Sequence, residues 1–197
     1  MSTELRITTD DGESLEAEQA GPEDAATAVV MCHPHPTYGG DMRVPVLTEL
    51  MSALSAAGFG VLRFNFRSAG ASTGEHDGGD AERHDVQAAA AAARDLWPEA
   101  RLVVLGYSFG ADVSLAAAID PDARVLIAPP LQIVSSEPPT CPTLLLVPEH
   151  DQFSPPDRAS EVTVDWPDAD VETLQGADHF LTGATARIAA RTVDWLT

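Results

Sequence analysis

The chain has 197 residues, 31 of them acidic and 11 basic, and a formal net charge of −20 at neutral pH disfavours nucleic-acid partners, because a phosphate backbone would be repelled. This length suits one domain, residues 1–197, with a core large enough to support a site. No apolar run is long enough to span a membrane, and acidic residues near the N-terminus stand where a signal peptide would be basic and then apolar, so a cytoplasmic location with no membrane partner is expected.

Residues 3–9 and 13–18 read as two short strands around the turn Asp10-Asp11-Gly12, forming an antiparallel edge. A buried strand at 28–32 runs into His33-Pro34-His35-Pro36-Thr37-Tyr38-Gly39-Gly40, which is too rich in proline and glycine for regular structure. Helical spacing of Val46, Leu47, Leu50, Met51 and Leu54 predicts a helix over 45–57, stopped by Gly58. Residues 61–66 form the next strand, followed by a small-residue loop at 67–74. That loop has neither the glycine spacing of a dinucleotide fingerprint nor the Lys-Ser/Thr of a phosphate-binding loop.

An alanine-rich helix with an acidic start is expected over 80–97, then a strand at 102–105 and a helix after Ser108. Strands at 125–128, 143–147 and 171–174 follow, with helices at 155–164 and 182–195 and a proline-rich link at 129–142. Such alternation predicts an α/β fold with a mainly parallel sheet and helices on both faces, and it puts active groups at the carboxyl ends of the strands. Cys32 and Cys141 each adjoin a strand-like run and read as buried free thiols, not a disulfide. No zinc-type spacing occurs. His33 and His35 lack an apparent third ligand and read as structuring their loop, so no metal is expected.

Gly106-Tyr107-Ser108-Phe109-Gly110 directly joins a strand to a helix. The two glycines remove Cβ atoms where strand and helix would collide, which permits strained angles at Ser108 and exposes its hydroxyl. A serine hydroxyl is a poor nucleophile at neutral pH; it needs a neutral histidine as base and a carboxylate to orient that base. Asp151 follows the strand 143–147 and His179 follows 171–174. His150 is a rival base and Asp178 a rival acid, but alternation points His150 away from its neighbour, and Asp178 is too close in sequence to reach the far nitrogen of His179.

The strand-GYSFG-helix unit, EHDQFSPP and GADHFL, in this order, resemble the α/β-hydrolase superfamily over almost the whole chain. HPHPTYGG and the short length resemble small cap-less bacterial serine hydrolases near the dienelactone hydrolases, although those carry cysteine at the elbow and their substrate is not inherited. The resemblance implies an α/β-hydrolase fold without a cap domain and a Ser108, Asp151, His179 triad. It also implies an oxyanion hole with one donor from the Phe109 N–H and the other from the HPHPTYGG loop, where His35 aligns with the donor and Thr37 and Tyr38 are alternatives. Pro34 and Pro36 have no N–H to give. Thr37, Tyr38 and Tyr107 are expected to contact the substrate.

The expected function is hydrolysis of a small ester, thioester or similar acyl bond through an acyl-enzyme on Ser108. No cofactor is expected, the partner is a small acyl substrate, and the protein is a monomer or homodimer. A non-catalytic hydrolase-fold binding protein is the alternative.

Overall fold

The computed structural model describes residues 2–133 and 136–197, so Val134 and Ser135 of the proline-rich link lie outside the described residues. Strands and helices alternate as β1 (Thr3–Thr8), β2 (Ser14–Ala20), β3 (Thr27–Cys32), α1 (Pro45–Ala56), β4 (Gly60–Phe64), α2 (Glu82–Leu96) and β5 (Arg101–Tyr107). They continue as α3 (Phe109–Ala116), β6 (Ala123–Ile127), β7 (Thr143–His150), α4 (Pro156–Thr163), β8 (Ala169–Asp178) and α5 (Thr185–Leu196). The eight strands form one sheet in the order β1-β2-β4-β3-β5-β6-β7-β8. Only β2 runs against its neighbours; every pair from β4 to β8 is parallel.

Parallel central strands are covered on both faces, which is why β3, β5 and β6 are almost continuously apolar. Alternate residues supply opposite cores. Val29, Met31, Val103 and Leu105 pack with α1 and α5, whereas Val30, Cys32, Leu102 and Val104 pack with α2 and α3. The alanines of α2 allow close approach: Ala89, Ala90 and Ala93 are fully buried against the sheet. At the antiparallel edge, Glu18 stands opposite Arg63 in the ladder and accepts from its Nε at 2.8 Å and from Arg43 Nη2 at 2.6 Å. A pair this buried is held by charge-assisted bonds on both carboxylate oxygens.

Several boundaries move for identifiable reasons. β4 ends at Phe64, not at 66: Asn65 still donates to Glu16 O of β2, but the Phe66 N–H leaves the ladder for His33 Nε2. β8 extends well beyond the expected 171–174 to Asp178, with a register shift against β7 and a positive φ of 68° at Gly176 absorbing the irregularity. Cys32 is buried as expected, but Cys141 is only half-buried at the start of β7; both thiols are free.

His33 governs the loop after β3. Its ring is fully buried, accepts the Phe66 N–H at Nε2 over 2.9 Å, and lies 2.6 Å from Pro34 O through Nδ1. An Nε2 that accepts leaves Nδ1 as the protonated nitrogen, so the ring is neutral in this network. Both nitrogens are thereby committed to backbone groups, and among the described residues no cluster of three metal-ligating side chains is present. Residues Pro36–Tyr38 then form a short 3-10 turn capped by Gly39 at φ 83°.

Two outcomes follow for stability. A Cβ on Gly106 would stand 2.4 Å from Ala111 Cα and 2.5 Å from its N. Gly106→Ala should therefore cost roughly 1–3 kcal/mol, measured as a lower urea midpoint. Burial holds His33 down to about 4, whereas in the unfolded chain it titrates near its ordinary value of about 6.5. The unfolded state thus binds more protons between those values, and stability is full above about pH 6.5 and falls, by up to about 3 kcal/mol, as pH drops towards 4. Chemical denaturation across this range should show that slope, and His33→Gln should remove most of it.

Candidate active site

The carboxyl ends of β5, β7 and β8 meet at one place. β5 delivers Ser108 at a turn where the serine takes φ 53° and ψ −121°, and α3 begins at the next residue. Space for this turn depends on the flanking glycines. A Cβ on Gly110 would lie 2.4 Å from Cys32 O and 2.5 Å from His33 O, so the first turn of α3 is pressed against the end of β3. The Ser108 N–H is tied to Ile127 O of β6 at 2.9 Å, which aims the hydroxyl away from the sheet.

Ser108 Oγ lies 2.8 Å from His179 Nε2, and His179 Nδ1 lies 2.8 Å from Asp151 Oδ2. An ionised carboxylate only accepts, so Nδ1 carries the proton and Nε2 is free to accept the serine proton. Asp151 is held in turn: its Oδ1 accepts the Phe153 N–H at 2.8 Å and the Ser154 N–H at 3.2 Å. The Tyr107 hydroxyl donates to His179 O at 2.9 Å, so this buried tyrosine fixes the histidine's backbone. Burial, then the neighbouring Asp151 and Asp178, push that phenol up to about 12, keeping it a donor at any ordinary pH.

The rival assignments separate on geometry. Asp178 is exposed and its Oδ1 caps the Phe180 N–H at 3.0 Å, away from the imidazole. His150 is largely exposed, 3.8 Å from Glu149.

The Phe109 and His35 N–H groups have no acceptor among the described residues. Their rings pack at 4.8 Å, so the two residues stand side by side at the start of α3. Tyr38 differs: its N–H is used by His35 O at 3.2 Å, and its side chain is 87% exposed. Thr37 Oγ1 is 3.1 Å from His35 Nδ1.

One supporting pair carried no sequence signal. Glu82, expected only as part of an acidic helix start, turns fully inward and meets His76 Nδ1 at 2.5 Å while accepting the Gly79 N–H at 2.8 Å. The His76 ring lies 4.6 Å from that of His35 and 5.4 Å from that of Phe109, so the pair backs both free N–H residues. Burial and the neighbouring His76 lower the His35 pKa. Nothing in the spacing of a small-residue loop indicates such a contact; it follows from how α2 docks.

The link after β6 forms no helix among its described residues. Its first part is bound by Asp112 of α3, whose carboxylate accepts the N–H groups of Leu131, Gln132 and Ile133 at 2.9, 3.0 and 2.8 Å. Clefts of about 380 and 360 Å³ lie along this link, and neither is lined by Ser108, Asp151 or His179. The hydrogen-bond geometry, not cavity size, marks the site.

Residues 24–139 match the family described as Serine aminopeptidase, S33. An α/β serine hydrolase without lid from Xanthomonas campestris is 32% identical, with 96% of this chain and 90% of that one covered at a TM-score of 0.84. An α/β serine hydrolase homologue from Coxiella burnetii is 27% identical, covering 99% and 97% at a TM-score of 0.89. An uncharacterized protein of Rickettsia prowazekii is 28% identical over 192 residues, covering 87% of this chain and 79% of that one. The chain is thus a hydrolase of the α/β-hydrolase superfamily, without a cap domain, and belongs to the serine aminopeptidase S33 family.

Proposed function

We propose that the protein is a serine hydrolase that cleaves a small ester, thioester or similar acyl bond through an acyl-enzyme on Ser108. The observation that carries this reading is the unbroken chain of bonds Ser108–His179–Asp151, each 2.8 Å, on a positive-φ elbow. His179 Nε2 takes the hydroxyl proton as Oγ bonds to the substrate carbonyl carbon, whose oxygen becomes an oxyanion facing the Phe109 and His35 N–H groups. The oxyanion collapses, the bond to the leaving group breaks, and the proton passes from Nε2 to that group. Water then attacks the acyl carbon, His179 takes its proton, the Oγ–carbon bond breaks, and the proton returns to Ser108. Asp151 stays ionised throughout and stabilises the imidazolium.

The family's description favours a second reading, in which the leaving group is the amine of a peptide. The same proton route serves both, and aminoacyl nitroanilides set against nitrophenyl esters distinguish them. A non-catalytic binding protein would leave a fluorophosphonate probe unreacted, whereas the proposed enzyme is labelled at Ser108.

Ser108→Ala should abolish labelling and turnover with an unchanged unfolding midpoint. Asp151→Asn should cost about 10⁴ in kcat by leaving the histidine in the wrong tautomer, as the equivalent change does in serine proteases, while Asp178→Asn has little effect. The reverse ranking of the two asparagine variants would move the acid to Asp178. A site without a cap removes little of a long acyl chain from water, and each unburied CH₂ forgoes about 0.8 kcal/mol. Across nitrophenyl esters from acetate to palmitate, kcat/KM should be highest for the short acyl groups; a long-chain optimum would overturn this.

A further inference from the structure

We infer that Phe153 and Phe180 form the leaving-group subsite, and that it takes a flat aromatic alcohol. The inference rests on the acyl-enzyme reading above. Whatever leaves must collect its proton from His179 Nε2, so its oxygen lies on the histidine side of Ser108 Oγ, and the rest of the alcohol extends past the imidazole. The His179 side chain is only 8% exposed, so the leaving group meets its neighbours. Phe153 is 46% exposed with its ring 4.5 Å from the imidazole, and Phe180 is 68% exposed with its ring 6.0 Å away and nearly perpendicular, at 86°.

Large apolar side chains left in water beside a reacting atom incur a hydration cost that a ligand can relieve. Both are also fixed at the backbone. The Phe153 N–H is bound by Asp151 Oδ1 and the Phe180 N–H by Asp178 Oδ1, so each ring is presented by a turn whose other duty is to shape the triad region. Two prepositioned rings on one histidine offer a stacked and an edge contact to a third ring, an arrangement aromatic groups favour over saturated ones of equal size. Beside the His35 N–H, the exposed large side chain is Tyr38, 87% exposed with its ring 4.7 Å from that of His35.

The test uses acetates of three alcohols: benzyl, cyclohexylmethyl and ethyl. The acyl group is held constant, and the first two alcohols match in size. The wild-type enzyme should prefer benzyl over cyclohexylmethyl acetate in kcat/KM by about three- to tenfold, the range expected of aromatic pairing. Phe153→Leu and Phe180→Leu should each lower that ratio towards unity, chiefly through KM, while Phe153→Tyr and Phe180→Tyr retain it. A wild-type ratio of one, or a ratio unmoved by the leucine variants, overturns the proposal. So does a failure to hydrolyse any of the three esters, and the fluorophosphonate probe then separates the two readings. If Ser108 is labelled, the serine-hydrolase function stands and only the leaving-group assignment fails; if it is not, both fail.

Discussion

The backbone at Ser108 constrains everything around it. A non-glycine residue at φ 53° is held there only when its surroundings over-determine the turn. Here the constraint comes from both directions: Ile127 O holds the Ser108 N–H from β6, and missing Cβ atoms at positions 106 and 110 let α3 fold back onto β5 and onto the end of β3. Because α3 is pressed so tightly against Cys32 and His33, the loop leaving β3 has nowhere to go but alongside the α3 N-terminus. The nucleophile and the loop that flanks it are therefore fixed by one steric arrangement.

His179 depends on a second set of anchors that come from different strands. Asp151 leaves β7 just after the register shift, and its two oxygens divide their work between the imidazole and the N–H groups of its own turn. Tyr107, one residue before the nucleophile, holds the histidine's carbonyl. A displacement of β5 would thus move the serine and the histidine's backbone together, keeping their separation nearly constant. Buried polar groups outside the triad are matched in the same way: Asp85 is fully buried and receives both the N–H and the guanidinium of Arg67, which also reaches Asp11. In a chain with so few cations, this one arginine satisfies two carboxylates.

The absence of a cap turns on the link after β6. Instead of a helical insertion, its first described residues are bound by the Asp112 carboxylate, one turn into the nucleophile helix. Leu131 takes φ 56° there, a conformation that three converging N–H bonds can hold. The outcome is a site bordered by the exposed aromatic side chains of Phe153 and Phe180 in place of a lid.

Much of this was legible in one dimension. Alternating buried strands and amphipathic helices, the Gly-x-Ser-x-Gly turn between a strand and a helix, and an acid and a histidine after later strands are local or ordered features, because hydrophobic period and turn chemistry act over a few residues. What the sequence left open were matters of which groups meet. Reach along the chain already favours Asp151 over Asp178, but the two 2.8 Å bonds that set the imidazole between Ser108 Oγ and Asp151 Oδ2 join the ends of different strands. β4 does not reach residue 66 because a histidine from the neighbouring strand's loop takes the Phe66 N–H, and β8 runs on because a glycine at positive φ absorbs a slip against β7. Glu82, Tyr107 and His33 look in the sequence like a helix-start acid, a site tyrosine and a loop histidine; their partners lie 6, 72 and 33 residues away. Hydrogen bonds of that kind are set by how finished elements dock, and no local pattern in the chain encodes them.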